Sequence, residues 1–335
     1  MKRVFLWDNL KLFAMLSIIL LHSTGPLRFG MPFMKYIHPI ISYYSMTLFA
    51  IISGYWYKEK SFKEMAIVYL WPCILFSIIN NIIGYYSYFA NSYPNSDYWG
   101  AFAFKPGPAM WYLMALFLFS VATKLIKGHI EIIGYLILSC LIAVVIGFLP
   151  IPNRYFDIQR ISSVFPCFVF GLWLKKIAVN QLNIIKSRRM GRALSAIVLA
   201  LCIVYNLFII HNMPSMSGAF TAYYGLNLKA AFGKWIMTVV RIVACMCIII
   251  LVPDKEYRFT KYGSRTMNVY LLHDTFILLL CWGVFYNCRY EWYGLLSLFI
   301  GVPLLCMLLF SSPVDRLMKR ILFTNYLKSI KNHSK

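Results

Sequence analysis

Acidic side chains are the scarcest feature of this 335-residue sequence: 11 Asp and Glu stand against 33 Lys and Arg, and charged residues make up only 13% of the chain. One soluble core cannot hide a chain that is 61% hydrophobic and 18% aromatic, so composition points to an integral membrane protein. The net charge of +22 does not mark a nucleic-acid binder. Such proteins gather Lys and Arg on a polar domain, whereas here they fall in short clusters between apolar runs. A cysteine pattern is also missing. Nine cysteines, at 73, 140, 167, 202, 245, 247, 281, 288 and 306, show neither a disulfide framework nor a metal-ligand spacing. Cys245 and Cys247, two apart on one predicted helix, read as apolar filler. No small-residue cleavage site follows the basic, apolar N-terminus, where STGPLRFG comes after His22, so the first apolar segment is expected to be an uncleaved span. There is no internal repeat, no inverted pair of broken helices, and no polar stretch long enough for an appended soluble domain.

Apolar runs of about 20 residues, the length that crosses a bilayer, recur ten times. The predicted spans fall at 10–27, 37–57, 65–90, 109–126, 130–149, 160–178, 193–211, 230–252, 266–286 and 292–311. Lys and Arg gather in alternate connections: Lys2, Arg3 and Lys11 at the first span, KEKSFK (58–63) after the second, Lys124 and Lys127 after the fourth. They recur as Lys175, Lys176 and KSRR (186–189) after the sixth, DKEYRFTKYGSR (254–265) after the eighth and DRLMKR (315–320) after the tenth. The positive-inside rule makes these sides cytoplasmic. The sequence therefore predicts an all-α polytopic membrane protein, a bundle of about ten transmembrane helices with both termini cytoplasmic. Residues 1–335 read as a single integral membrane domain, with 312–335 as a cytoplasmic tail. The longest opposing loops, 91–108 and 211–227, are rich in Gly, Pro and aromatics but too short to be catalytic domains.

Ionisable residues inside spans are costly and therefore functional candidates. Four stand out: His22, Arg241 and the adjacent His273 and Asp274. Lys11 and His22 are eleven residues apart, close to three whole helical turns, so they share one face and stand roughly 16 Å apart along the axis. Asp8, one turn before Lys11, is placed to hold it. A lysine at a span edge suits an anionic ligand, and an imidazole deeper in the same face can move protons near neutral pH. Taken singly, Lys11 also reads as a snorkelling anchor and His22 as a helix-packing residue.

In the segment NLKLFAMLSIILLHS (9–23), a basic residue, ten residues and a histidine follow one another. This resembles the first helix of the acyltransferase 3 family of multi-spanning membrane acyltransferases. LFAIISGYWYKEKSF (48–62), AMWYLMALF (109–117), QRISSVFPCFVFGLWLKK (159–176) and KYGSRTMNVYLLHDTF (261–276) resemble further elements of that family in the same order, so the resemblance covers nearly the whole chain. The sequence looks most similar to the fucose 4-O-acetylase-like branch, which modifies surface polysaccharides. One stretch departs from the pattern: where many members carry two arginines before a proline, this chain reads AIVYLWP (66–72).

The resemblance implies transfer of an acyl group, acetyl by default, from acetyl-CoA or another acyl-CoA to a sugar hydroxyl. The acceptor would be a cell-surface glycan (O-antigen, capsule or exopolysaccharide) or an undecaprenyl-linked oligosaccharide, and the location a bacterial cytoplasmic (inner) membrane. The acyl-CoA is a substrate; no permanently bound cofactor, metal or nucleic acid is implied. On this view His22 is catalytic, as general base or as the acyl-accepting nucleophile. Lys11 with Asp8, Lys60, Lys63 and His273 lie on the donor side, Lys58 adding to the basic cluster. Arg160, Arg241 and Trp111 lie on the acceptor or oxyanion side. Arg241 also reads as a structural partner of Asp274, and Tyr98, Trp99, Tyr223 and Tyr224 as sugar-stacking or interfacial aromatics. Two further readings stand behind the enzyme: a polysaccharide or precursor transporter, or flippase, and then an accessory subunit that uses buried polar groups only for packing.

Overall fold

A computed structural model describes residues 5–25, 27, 30–90, 109–126, 129–149, 157–177, 189–212, 227–279 and 292–322. Every regular element among them is helical. In chain order these are α1 (Phe5–Thr24), α2 (Met34–Tyr55), α3 (Phe62–Met65), α4 (Trp71–Ala90), α5 (Trp111–Ile126), α6 (Ile132–Phe148) and α7 (Ile158–Ile177). They are followed by α8 (Arg189–Asn212), α9 (Leu228–Leu251), α10 (Thr266–Ile277), α11 (Trp292–Leu296), α12 (Val302–Leu309) and α13 (Ser312–Ile321). A π-helical turn, Ala66–Leu70, joins α3 to α4, and a 3₁₀ turn, Thr260–Arg265, leads into α10.

Among the described residues five helices are long and apolar enough to cross a bilayer: Phe5–Thr24, Tyr36–Tyr55, Phe62–Gly84, Arg189–Ile209 and Ala231–Leu251. Gly294–Leu309 and Ser312–Ile321, bent by 57°, pass the same test as a pair, and α5 and α6 are shorter apolar helices. The exposed faces are the greasy ones. On α8, Leu194, Ile197, Leu201, Val204 and Phe208 recur every three or four residues and are each more than half exposed, an apolar stripe that only lipid can cover.

α1 and α2 run through the centre. Leu10, Ala14, Met15, Ile18 and Ile19 of α1 and Leu48, Ala50 and Ile51 of α2 are essentially inaccessible. α2 crosses α7 with almost no gap: a Cβ added at Gly54 would stand 1.9 Å from the Phe168 carbonyl oxygen, and one at Gly171 would stand 2.1 Å from that of Ile51. Small residues permit this approach, and in lipid, where apolar side chains gain nothing by leaving the hydrocarbon, close packing drives association. The two glycines fall in the Ser-Gly-Tyr and Phe-x-x-Gly stretches (53–55, 168–171). At its start α3 is closed by a reciprocal cap: Ser61 Oγ accepts the Glu64 N–H at 3.2 Å, and Ser61 N–H donates to Glu64 Oε2 at 2.8 Å.

One expected contact does not form. Arg241 and Asp274 lie on helices that pack elsewhere, α9 against α8 and α2, α10 against α1, α4 and α12. Arg241, 4% exposed, stacks its guanidinium over the Tyr43 ring at 5.3 Å, while Asp274 is bonded to Asn80 and Ala109. The C-terminal segment begins with α13, which docks on α10 through Asn268 Nδ2, donating to Asp315 Oδ1 at 2.7 Å.

Candidate active site

The first turns of α1 are clamped by the 254–265 connection. Leu6 N–H donates to Asp254 Oδ1 at 2.7 Å, Asn9 Nδ2 donates to the carbonyls of Pro253 and Lys255 at 3.0 Å each, and Thr260 Oγ1 donates to Asn9 Oδ1 at 2.7 Å. Gly263 presses on the same turn, where a Cβ would stand 2.4 Å from the Asp8 carbonyl oxygen. Since α10 follows directly, these contacts set its position against α1. They also leave Lys11 free to face inward.

Lys11 Nζ lies 3.6 Å from Asp8 Oδ1 and 5.6 Å from the centre of the Trp56 ring. It lines a cavity of about 190 Å³ whose walls include Ser53, Trp56, Tyr112, Met267 and Tyr270. Ser53 and Tyr112 share a hydroxyl hydrogen bond of 2.9 Å. Lys60 and Lys63 do not line this cavity: Lys60 Nζ donates to Tyr69 OH at 3.0 Å, and Lys63 is exposed. A larger groove, about 590 Å³, is lined by Phe13, Leu16, Met307 and Phe310 and includes neither Lys11 nor His22. On a helical wheel its α1 residues lie well over a quarter turn from the Lys11 face.

Tyr270 leads from the cavity to the histidines. Its ring centre is 5.6 Å from that of His273, and the His273 ring is 5.3 Å from that of His22 at 62° between planes. His273, expected on the donor side with Lys11, therefore stands beside His22. Its Nδ1 is 2.6 Å from the Tyr270 carbonyl oxygen; a carbonyl only accepts, so Nδ1 carries the proton and Nε2 the lone pair. Among the described residues, His273, His38 and Arg160 are near enough to act electrostatically on His22.

Sequence reasoning missed His38, which enters from α2. Its Nδ1 is 3.0 Å from Thr24 Oγ1, whose proton is committed to the Leu21 carbonyl at 3.0 Å, so His38 is the donor. The available signal was a histidine beside Pro39 at the start of a predicted span. Arg160 lies 5.1 Å over the Trp111 ring and 3.6 Å from Asp157, so two residues assigned to the acceptor side do meet. Asp157 holds a left-handed backbone, φ 51°, which Asp adopts more readily than most residues. Arg241 belongs to the Tyr43 cluster instead. Tyr98, Trp99, Tyr223 and Tyr224 lie outside the described residues.

Asp274 is a strut. Fully buried, it accepts Asn80 Nδ2 at 3.3 Å and the Ala109 N–H at 3.1 Å, while Tyr270 OH donates to the Ala109 carbonyl. Both sides of the residue two before Trp111 are thus gripped by α10, which fixes how α5 presents Trp111 and Tyr112. Among the described residues no group of three or more His, Cys, Asp or Glu is placed to hold a metal ion.

Fold and site together define a polytopic helical membrane protein in which a lysine-lined cavity approaches a fully buried imidazole, His273, and the half-buried His22 beside it. The family model described as an acyltransferase domain, that of the acyltransferase 3 family, matches residues 6–311. The chain belongs to that family and is a membrane acyltransferase. Comparison with curated proteins and with solved structures gave no match.

Proposed function

We propose that this protein is an O-acyltransferase of the fucose 4-O-acetylase-like branch, moving an acetyl group from cytoplasmic acetyl-CoA to a sugar hydroxyl of a surface or lipid-linked glycan in a bacterial inner membrane. The observation that carries this reading is the alignment of Lys11, the 190 Å³ cavity, Tyr270 and the His22–His273 pair along one path. Lys11, steadied by Asp8, meets the donor's phosphates. An ammonium on a flexible stem serves as a point charge for phosphate. The pantetheine arm lies in the cavity and carries the thioester toward His22, across a distance no side chain spans.

The acceptor approaches over Trp111 and Arg160, an aromatic face and a cation suited to a sugar ring and its hydroxyls. His22 takes the hydroxyl proton as the oxygen attacks the thioester carbon, or takes the acyl group itself and passes it on. The second imidazole at its side favours the first route, since it can orient His22 as a base.

The test is glycan acylation in cells lacking the gene, complemented with wild type or with His22→Ala at equal membrane level, reading ester-linked acetyl by NMR of purified polysaccharide. Wild type restores the ester and His22→Ala does not. Restoration by both removes His22 from the chemistry. Changed polymer export without any ester in either strain makes the protein a transporter instead.

A further inference from the structure

We propose that His273 is a positioning residue for His22: its Nε2 accepts the N–H of the His22 imidazole, fixing the tautomer whose other nitrogen faces the acceptor hydroxyl. The inference rests on the reading of His22 as general base. It gives a role to an atom that is otherwise unexplained. His273 is 0% exposed, and its Nε2 is buried with no hydrogen-bond partner among the described residues. An unpaired buried acceptor is costly and rare, so each one calls for an explanation. Its orientation is not free either, because the Nδ1–H is spent on the Tyr270 carbonyl at 2.6 Å. What remains is a fixed lone pair that can only accept.

His22 is the group beside it. Two imidazoles joined by a straight N–H···N bond of about 3 Å have ring centres roughly 5 Å apart, and these stand at 5.3 Å with planes at 62°. The separation of the rings already matches such a bond. The neighbouring carboxylate is engaged elsewhere, Asp274 Oδ2 accepting from Asn80 and from Ala109. A neutral imidazole therefore does here what a carboxylate does in a Ser-His-Asp triad.

The proton balance follows. The acceptor O–H breaks and its proton passes to the free nitrogen of His22 as the O–C(acyl) bond forms. The resulting imidazolium donates its other N–H to His273 Nε2, and His273 stays neutral. The C–S bond then breaks, and the departing thiolate takes the proton from His22, returning it to the starting tautomer.

The test uses the full-length protein in liposomes, with acetyl-CoA and a sugar acceptor, comparing His273→Leu, His273→Gln, His22→Ala and the His22→Ala/His273→Leu double variant. His273→Leu is expected to lower kcat about 100-fold, less than the loss from removing a triad carboxylate, with KM for acetyl-CoA unchanged. His273→Gln, whose amide oxygen can reach the Nε2 position as an acceptor, recovers at least about tenfold of that loss. Because His273 acts through His22, the double variant is no slower than His22→Ala. A raised KM with normal kcat would make His273 a donor-binding residue and overturn the proposal. So would a normal kcat per folded molecule, or a double variant slower than His22→Ala. If His273→Leu fails to fold, Gln without activity above His22→Ala also overturns it. Full activity of His22→Ala would bring down the underlying reading of His22, a result visible independently of any His273 variant.

Discussion

Replacing Gly171 with alanine tests the architecture on which the site depends. The new Cβ would stand 2.1 Å from the Ile51 carbonyl oxygen and 2.9 Å from Tyr55 N, where ordinary contact begins at 3.4 Å. Both neighbours are backbone, so no side chain can swing aside. α7 must move from α2 by more than 1 Å, loosening a wall that carries Phe49, Ile52, Ser53 and Trp56 of the donor cavity. Overpacking of this kind costs about 1–3 kcal/mol, which for a chain of this size lowers Tm by roughly 1–4 °C. Thermal unfolding of the purified protein in detergent, followed by circular dichroism, reads that shift. Gly301→Ala is the control, since a Cβ there meets nothing within 4 Å. The Gly54→Ala/Gly171→Ala pair should lose less than the sum of the two, because one separation of the helices relieves both clashes. A Gly171→Ala protein as stable as Gly301→Ala would refute the close crossing.

Three more predictions follow from the site. Lys11→Ala should raise KM for acetyl-CoA at least about tenfold with little change in kcat, the loss of one charge-assisted contact to phosphate; steady-state kinetics at fixed acceptor checks this, and an unchanged KM would place the phosphates elsewhere. Asp274→Leu strands the Asn80 amide and the Ala109 N–H, so it should destabilise by about 2–5 kcal/mol in a denaturation experiment, whereas Asp274→Asn should cost less. Arg241→Met, which removes the stack on Tyr43, should lower stability while leaving KM for acetyl-CoA intact; a donor-binding defect at normal stability would return Arg241 to the site.

Much of the scaffold was legible because lipid imposes one simple rule. Apolar runs near 20 residues mark the helices that become α1, α2, α8 and α9, and the spacing of three turns between Lys11 and His22 follows from helical geometry alone. The Asp8–Lys11 contact is likewise local, one turn apart. What the chain does not display is which helix lies against which. Asp274 finds partners 194 and 165 residues away in Asn80 and Ala109, and no periodicity announces them; the intramembrane opposite charge, Arg241, is not among them because α9 turns it toward Tyr43. For the same reason His273 reads as a donor-side residue until α10 is docked beside α1. Gly54 and Gly171 illustrate the intermediate case: each sits in a recognisable stretch, yet only the crossing of α2 with α7 shows that they face one another's backbone.

The central claim is that His22 performs the proton transfer of acyl transfer. It is tested most directly by reconstituting the purified protein in liposomes, supplying radiolabelled acetyl-CoA with a sugar acceptor, and measuring acetyl ester formation by wild type and His22→Ala at equal folded amounts. Loss of a general base predicts a rate at least about 100-fold lower for His22→Ala, with acetyl-CoA binding retained. An equal rate of ester formation by the two proteins would contradict the account.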